Sequence, residues 1–183
     1  MQIPSKARAV IIGGGVIGCS IAYHLGKLGW KDVVLLERKQ LTCGTTWHAA
    51  GLVSMLWPTP YLTNLAKYCH ELYASLEEET GQATGYRRIG SLSLARTPER
   101  LEELQRTSSM ASVFGVESEM IDNKRLVELY PGINTDGVLG TLYIEKDGQT
   151  NAIDTTMALS KGARNHGARI IENVKVEDIL LEN

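Results

Sequence analysis

The sequence predicts an α/β fold that opens on a parallel βαβ unit and continues into an antiparallel sheet. Three observations carry this expectation. The apolar run Ala9-Val10-Ile11-Ile12 stops at three consecutive glycines, as a short buried strand does before a tight turn. Gly18 to Leu28 then reads as a helix ended by Gly29, and Asp32 to Leu36 is a second β-branched run suited to a parallel strand covered on both faces. Further on, Ser91-Leu92-Ser93-Leu94 alternates with the period of a half-buried strand.

The remaining elements follow in order. A loop of small residues spans Thr42 to Gly51, and Leu62, Leu65, Ala66, Cys69, Leu72, Tyr73 and Leu76 recur at helical spacing until Thr80-Gly81. Ile89 to Ala95 is a strand, and Thr97-Pro98 is an N-cap with proline at the first helical position, opening a helix that buries Leu101 and Leu104. Asp122 caps a shorter helix that ends before Tyr130-Pro131, and Val138 to Ile144 is a strand. Asp154 caps a helix running to about His166-Gly167, and Ala168–Glu172 and Val174–Leu181 close the chain as strands. Nothing reads as a repeat or a linker, so the two halves are expected to interleave.

Composition narrows the function classes. With 183 residues, 43% hydrophobic and 22% charged, the chain can bury a sizeable core. A formal net charge of −2 gives no field that would gather nucleic acid or anionic lipid. Cys19, Cys43 and Cys69 form an odd set without a C-x-x-C pair, which points to reduced thiols. Lys6 and Arg8 before Ala9–Ala22 imitate a signal peptide, but the glycines and His24 interrupt any span. The expected location is the cytoplasm, or the mitochondrial matrix in a eukaryote, with no transit peptide visible and no membrane partner.

Gly13-Gly14-Gly15-Val16-Ile17-Gly18 fits G-x-G-x-x-G, and each glycine has a mechanical role. Gly13 permits the turn out of the strand, Gly15 lets backbone approach a pyrophosphate, and Gly18 lets the helix pack on the sheet. The pyrophosphate sits on the free amides and positive end of that helix. Glu37, about 20 residues beyond, ends the next strand and is placed to accept hydrogen bonds from a ribose diol while repelling a 2′-phosphate. This fingerprint alone does not separate FAD from NAD.

The loop Leu41-Thr42-Cys43-Gly44-Thr45-Thr46-Trp47-His48-Ala49-Ala50-Gly51-Leu52 separates them. It resembles the flavin loop of the sarcosine and dimethylglycine dehydrogenases, within the glycine-oxidase (D-amino-acid-oxidase-like) flavoprotein family. The resemblance continues through Leu76-Glu77-Glu78-Glu79-Thr80-Gly81, Gly115-Val116-Glu117-Ser118, Leu129-Tyr130-Pro131, Gly140-Thr141-Leu142-Tyr143 and Ile171-Glu172-Asn173, and covers nearly the whole chain. It implies a Rossmann-like FAD-binding domain with part of an antiparallel substrate-binding sheet. Residues 1–55 and 150–183 would bind FAD, and 56–149 would partly form the substrate region.

Residue by residue, the resemblance implies pyrophosphate along Val16 and Ile17 and ribose near Glu37 and Arg38. Gly44, Thr45, Thr46, Trp47, His48, Ala49, Ala50, Gly51 and Leu52 would wrap the rest of FAD toward its isoalloxazine, and a backbone group of Val176 would hold the adenine. His48, following tryptophan, would carry the flavin through a covalent bond to its 8α carbon. The implied reaction oxidises the N-methyl group of sarcosine or dimethylglycine, with hydride transfer to flavin N5 and release or transfer of formaldehyde. Electron-transfer flavoprotein or oxygen would accept the electrons, and tetrahydrofolate could act through a further C-terminal domain. The chain looks like the N-terminal part of such an enzyme, inactive by itself, with much of the substrate site beyond Asn183. No catalytic base can be derived. In one departure, the family follows its Asp-Gly pair with an acid and proline, where this chain has Asp147-Gly148-Gln149-Thr150-Asn151-Ala152.

Two other classes compete with this reading. One is a noncatalytic relative of the same fold, such as the regulatory subunit of pyruvate dehydrogenase phosphatase, against which the retained His48 argues. The other is a plain NAD-binding module, against which the long loop argues. His24 reads as a core or helix-face residue, and His70 and His166 lack metal-ligand spacing, so no metal is expected. Trp47 could wall the flavin or substrate, Trp57 and Tyr61 read as packing residues, and Glu77-Glu78-Glu79 as a solvated helix end.

Overall fold

The computed structural model describes residues 3–181. The elements run β1 (Ala9–Ile12), α1 (Val16–Lys27), β2 (Val33–Leu36), a 3-10 turn (Thr45–His48), β3 (Leu52–Val53), α2 (Pro60–Thr80), β4 (Arg87–Arg88), β5 (Ser91–Ala95), α3 (Pro98–Val113), β6 (Glu119–Ile121), α4 (Asn123–Leu129), β7 (Gly140–Ile144), β8 (Gly148–Gln149), α5 (Ala152–Asn165) and β9 (Arg169–Ile171). They divide into two compact units. The first holds Met1–Leu52, Leu72–Tyr86 and Thr150–Asn183, and the second Val53–Glu71 and Arg87–Gln149.

The first unit is built on a parallel sheet in the order β1-β2-β9. Ala9 pairs with Val33 and Ile12 with Leu36, while Val34 pairs with Arg169 and Leu36 with Ile171. β2 is central, and Val33, Val34 and Leu35 are buried, which explains its uninterrupted apolar sequence. β1 departs from the expected buried strand, since Val10 and Ile12 are each 55% exposed. It lies at the sheet's edge, and only Ala9 and Ile11 point into the core formed by Cys19, Ala22, Tyr23, Leu76 and Leu159.

Tyr23 is fully buried in that core, so its hydroxyl needs a partner. It donates to Glu79 Oε2 at 2.7 Å, and Lys27 Nζ donates to the Tyr23 oxygen at 3.1 Å. His166 Nε2 lies 3.5 Å from Glu79 Oε1. Glu79 is exposed at the end of α2, as its sequence suggests, and also holds the Tyr23 hydroxyl.

Two further expectations are corrected here. α5 is capped by Asn151, whose Oδ1 accepts from Ile153 N at 3.0 Å and Asp154 N at 3.2 Å, whereas Asp154 sits in the first turn. Residues 174–181 form no strand. Asn173 turns the chain at φ 62°, Val174 N donates to Glu37 O at 2.8 Å, and no ladder partner follows among the described residues. A strand exists only through its ladder. Position 182 onward lies outside the described residues.

The second unit is antiparallel, in the order β5-β7-β6, with Leu92 opposite Tyr143 and Met120 opposite Leu142. α3 starts where Thr97 accepts from Arg100 N at 3.2 Å with Pro98 at its first position, and Asp122 caps α4 through Arg125 N at 2.8 Å. Leu104, Ala95, Val116 and Leu142 form one core cluster, and Ile121, Leu126 and Val138 another. β5 begins two residues later than its sequence suggests because Ile89 N and Gly90 N both donate to Asp147 O, with Gly90 at φ 75°. Val138 similarly stays outside β7, its amide closing a turn onto Thr135 O. Trp57 and Tyr61 do not pack as expected, being 47% and 85% exposed where the chain enters α2.

Candidate cofactor-binding site

The turn between β1 and α1 is held closed by its glycines. Gly13 leaves the strand at φ 108°, and its amide donates to Leu36 O at 2.8 Å. A Cβ on Gly18 would sit 2.0 Å from Gly13 O, so the helix can lie against the turn only without a side chain there. A Cβ on Gly14 would meet Leu41 Cδ2 at 2.5 Å, a constraint the fingerprint does not announce. Gly15 is different. It is the N-cap of α1 with no side-chain cap, and a Cβ there would meet only Thr46 Oγ1, at 3.1 Å. Its lack of a side chain leaves the surface in front of the helix open, whereas the other two serve the packing of the chain itself.

The first turn of α1 contains no acidic residue of its own. Val16 N donates to Thr46 Oγ1 at 3.0 Å, linking this end of the helix to the flavin-like loop. Ile17, on the next position, is 75% exposed. Glu37 closes the other side. Its Oε2 accepts from Gly14 N at 2.7 Å, its Oε1 from Lys39 N at 2.9 Å, and the Cys43 thiol lies 3.6 Å from Oε1. Burial alone would raise the carboxyl's pKa. The amides of Gly14 and Lys39, the Cys43 thiol and the Arg38 charge outweigh it and hold the pKa below the ordinary carboxylate value. Glu37 is thus a fixed anion at the carboxyl end of β2.

From Gly44 the loop runs outward. Thr46 is buried, whereas Gly44, Thr45, Trp47, His48, Ala49, Ala50 and Leu52 are exposed. The indole of Trp47 and the imidazole of His48 face one another with centroids 4.1 Å apart. The loop's far end is pinned at Gly51, which has φ 75° and whose carbonyl accepts from Thr150 N at 2.8 Å. A Cβ on Gly51 would lie 2.0 Å from Thr150 O, so this docking also requires glycine. Thr150 is held in turn by its hydroxyl donating to Thr84 O at 2.9 Å. Trp47, Ala49 and Ala50 face Asn151, Ala152 and Ile153 across a cavity of about 320 Å³ at the start of α5.

The expected site residues are therefore linked unevenly. Gly13, Gly15, Val16, Gly18, Glu37 and Thr46 share one hydrogen-bonded turn, and Trp47 to Gly51 extend from it to α5. Arg38 is exposed and reaches the site through its charge on Glu37. Val176 is half-buried, two residues beyond the Val174 amide that bonds Glu37 O. Sequence reasoning missed Thr46 as the partner of α1's first amide and Thr150 as the loop's anchor. It had only generic threonines to read. Within the departing stretch Asp147-Gly148-Gln149-Thr150-Asn151-Ala152, Asn151 caps α5 and Ala152 takes the first helical position.

A glycine turn under a helix N-terminus, a fixed carboxylate ending the second strand and a small-residue loop in between together form one cradle. The profile of the FAD dependent oxidoreductase (DAO) family matches residues 8–183, and the chain belongs to that family. It is 42% identical over 178 residues to human sarcosine dehydrogenase, covering 97% of this chain and 19% of that protein. It is 44% identical over 162 residues to rat dimethylglycine dehydrogenase, covering 88% and 19% respectively. The regulatory subunit of mouse pyruvate dehydrogenase phosphatase is also similar, at 40% over 182 residues, covering 100% of this chain and 21% of that one. Among solved structures, Bacillus cereus glycine oxidase superposes with a TM-score of 0.83 at 31% identity, covering 97% of this chain and 50% of that one. The chain thus spans about a fifth of the length of these curated relatives.

Proposed function

We propose that the chain forms part of an FAD-dependent enzyme that oxidises the N-methyl group of a small secondary or tertiary amino acid, sarcosine or dimethylglycine. The observation that carries this reading is the fixed Glu37 carboxylate beside the open, acid-free N-terminus of α1, joined by Thr46 to a loop ending in Trp47 and His48. The cradle suits FAD. The positive end of α1 can take a pyrophosphate along Val16 and the exposed Ile17, for which Gly15 leaves room, while the Val16 amide itself is held by Thr46. A carboxylate offers about four acceptor positions, and three donors occupy Glu37, which leaves capacity for a ribose hydroxyl. Bound FAD supplies the hydride acceptor; the chain's own share is binding, orientation and exclusion of water.

In this reading residues 1–55 and 150–183 hold the cofactor and the antiparallel sheet within 56–149 contributes to the substrate side. Arg38 flanks the ribose, and a backbone group of Val176 meets the adenine. Trp47, Ala49 and Ala50 guide the cofactor past α5, with Gly44, Thr45, Gly51 and Leu52 completing the wrap. His48 is the residue of covalent attachment, since it is exposed and carried on a turn anchored at both ends. An imidazole nitrogen is a competent nucleophile when neutral. Electron-transfer flavoprotein or oxygen serves as acceptor. Acid precipitation of the intact protein tests the attachment: the pellet should stay yellow, with flavin mass on the peptide containing Trp47 and His48. Colourless protein would refute it.

The similarity to a phosphatase regulatory subunit favours one second reading, a noncatalytic relative of the same fold. The two part on reduction of bound flavin by sarcosine or dimethylglycine, which a regulatory relative would not show.

A further inference from the structure

The second unit contains a cavity of about 300 Å³ that shares no residue with the cradle. Met55, Val116 and the fully buried His70 are among its lining residues and supply its buried surface. Burial, aided by the Arg88 charge, lowers the His70 pKa against the opposing pull of Asp147, so this surface carries no charge at neutral pH. Charges of both signs complete the lining. Lys67 Nζ is held by donating to Phe114 O at 2.7 Å. Lys146 pairs with Glu117 at 2.9 Å, and Arg88 and Glu71 line the same cavity.

We propose that this cavity binds a small zwitterion of the amino-acid type, its carboxylate against Lys67 and Arg88 and its ammonium against Glu71 and Glu117. The geometry favours a zwitterion over a simple anion because three cations and two carboxylates line one small space. An ammonium has three donors, and Lys67 spends one on Phe114 O, leaving others for a ligand carboxylate. Met55 and Val116 take the ligand's apolar body. The volume lies at the lower end of small-molecule pockets, which limits the occupant to a compact molecule.

The test is calorimetric titration of the intact protein with glycine, acetate and methylammonium, repeated on Lys67→Gln and Glu117→Gln. Wild type should bind glycine more tightly than either half-molecule, and each substitution should weaken glycine binding about tenfold or more, the scale of one charged hydrogen bond. Glu117 is exposed, so its variant keeps the fold if Lys67→Gln does not. No glycine binding, binding unchanged in Glu117→Gln, or acetate binding as tight as glycine would each overturn the proposal. The flavin spectrum of the same samples reports on the cradle independently, so the two readings can fail separately.

Discussion

Alanine at Gly18 and alanine at Gly15 should have unequal consequences for stability, although the two glycines belong to one motif. At Gly18 the new Cβ would start 2.0 Å from Gly13 O, and ordinary contact begins near 3.4 Å, so helix or turn must retreat by about 1.4 Å (3.4 − 2.0). Both the obstacle and the helix are backbone, with no flexible side-chain end to swing aside. Overpacking of this kind costs about 1–3 kcal/mol, and alanine's better helix propensity returns at most about 1 kcal/mol. At Gly15 the new Cβ would meet only the Thr46 hydroxyl, at 3.1 Å, which needs to give by a few tenths of an ångström, so the loss should be smaller than at Gly18. A net loss of 2 kcal/mol corresponds to about 4–8 °C in Tm for a protein of this size. Thermal unfolding of FAD-free protein should therefore show Gly18→Ala lower by that amount and Gly15→Ala within about 1–2 °C of wild type. FAD titration of Gly15→Val, whose larger side chain projects from the helix N-cap, should show lost binding in a folded protein. Equal destabilisation by the two alanines, or normal FAD uptake by Gly15→Val, would refute the division of labour.

Other perturbations follow from the same geometry. Glu37→Ala should weaken FAD binding by about 1.5–3 kcal/mol, the scale of a hydrogen bond to a charged group, read in apoprotein before attachment; unchanged affinity would exclude the ribose role. The Cys19 thiol, pushed up to about 12 by burial, should resist alkylation at pH 8, while exposed Cys43 reacts first and is shielded when FAD is bound; peptide mapping checks the order. His70 is buried with its pKa below 6.5, so the unfolded chain binds the proton first. Its contribution to stability is complete above that value and declines as pH falls through it, and His70→Gln should flatten this part of the stability profile. Glu37, also depressed, adds a second loss at lower pH, as the carboxylate range is crossed. Asn151→Ala should cost about 1 kcal/mol by uncapping α5 and should loosen the anchorage of the loop at Thr150, seen as faster amide exchange at Gly51 and Leu52.

Much of the fold was legible because local chemistry and tertiary structure agree. The three-glycine turn, the Thr97-Pro98 start of α3 and the Asp122 cap each act within a few residues, and each is found where the sequence places it. The elements that were misread depend on distant partners. Residues 174–181 have the composition of a strand but no ladder partner among the described residues. Val10 and Ile12 are apolar yet 55% exposed, because only Ala9 and Ile11 of β1 face the core. Glu79 is exposed as its sequence suggests, but its contacts with Tyr23, Lys27 and His166 join residues far apart in sequence. Within the cradle, Glu37 and the glycines follow a readable spacing, whereas Thr46 and Thr150 matter through contacts 30 and 99 residues away (46 − 16 and 150 − 51). No periodicity encodes such pairs.

The central claim is that this cradle serves flavin-dependent oxidation of an N-methylated amino acid, and anaerobic titration of the intact protein with sarcosine and dimethylglycine tests it most directly. The account predicts that one of the two bleaches the visible flavin band and releases formaldehyde in proportion, and that Gly15→Val, lacking the cofactor, shows neither. A protein that carries flavin but keeps its band unbleached with both substrates would contradict the account.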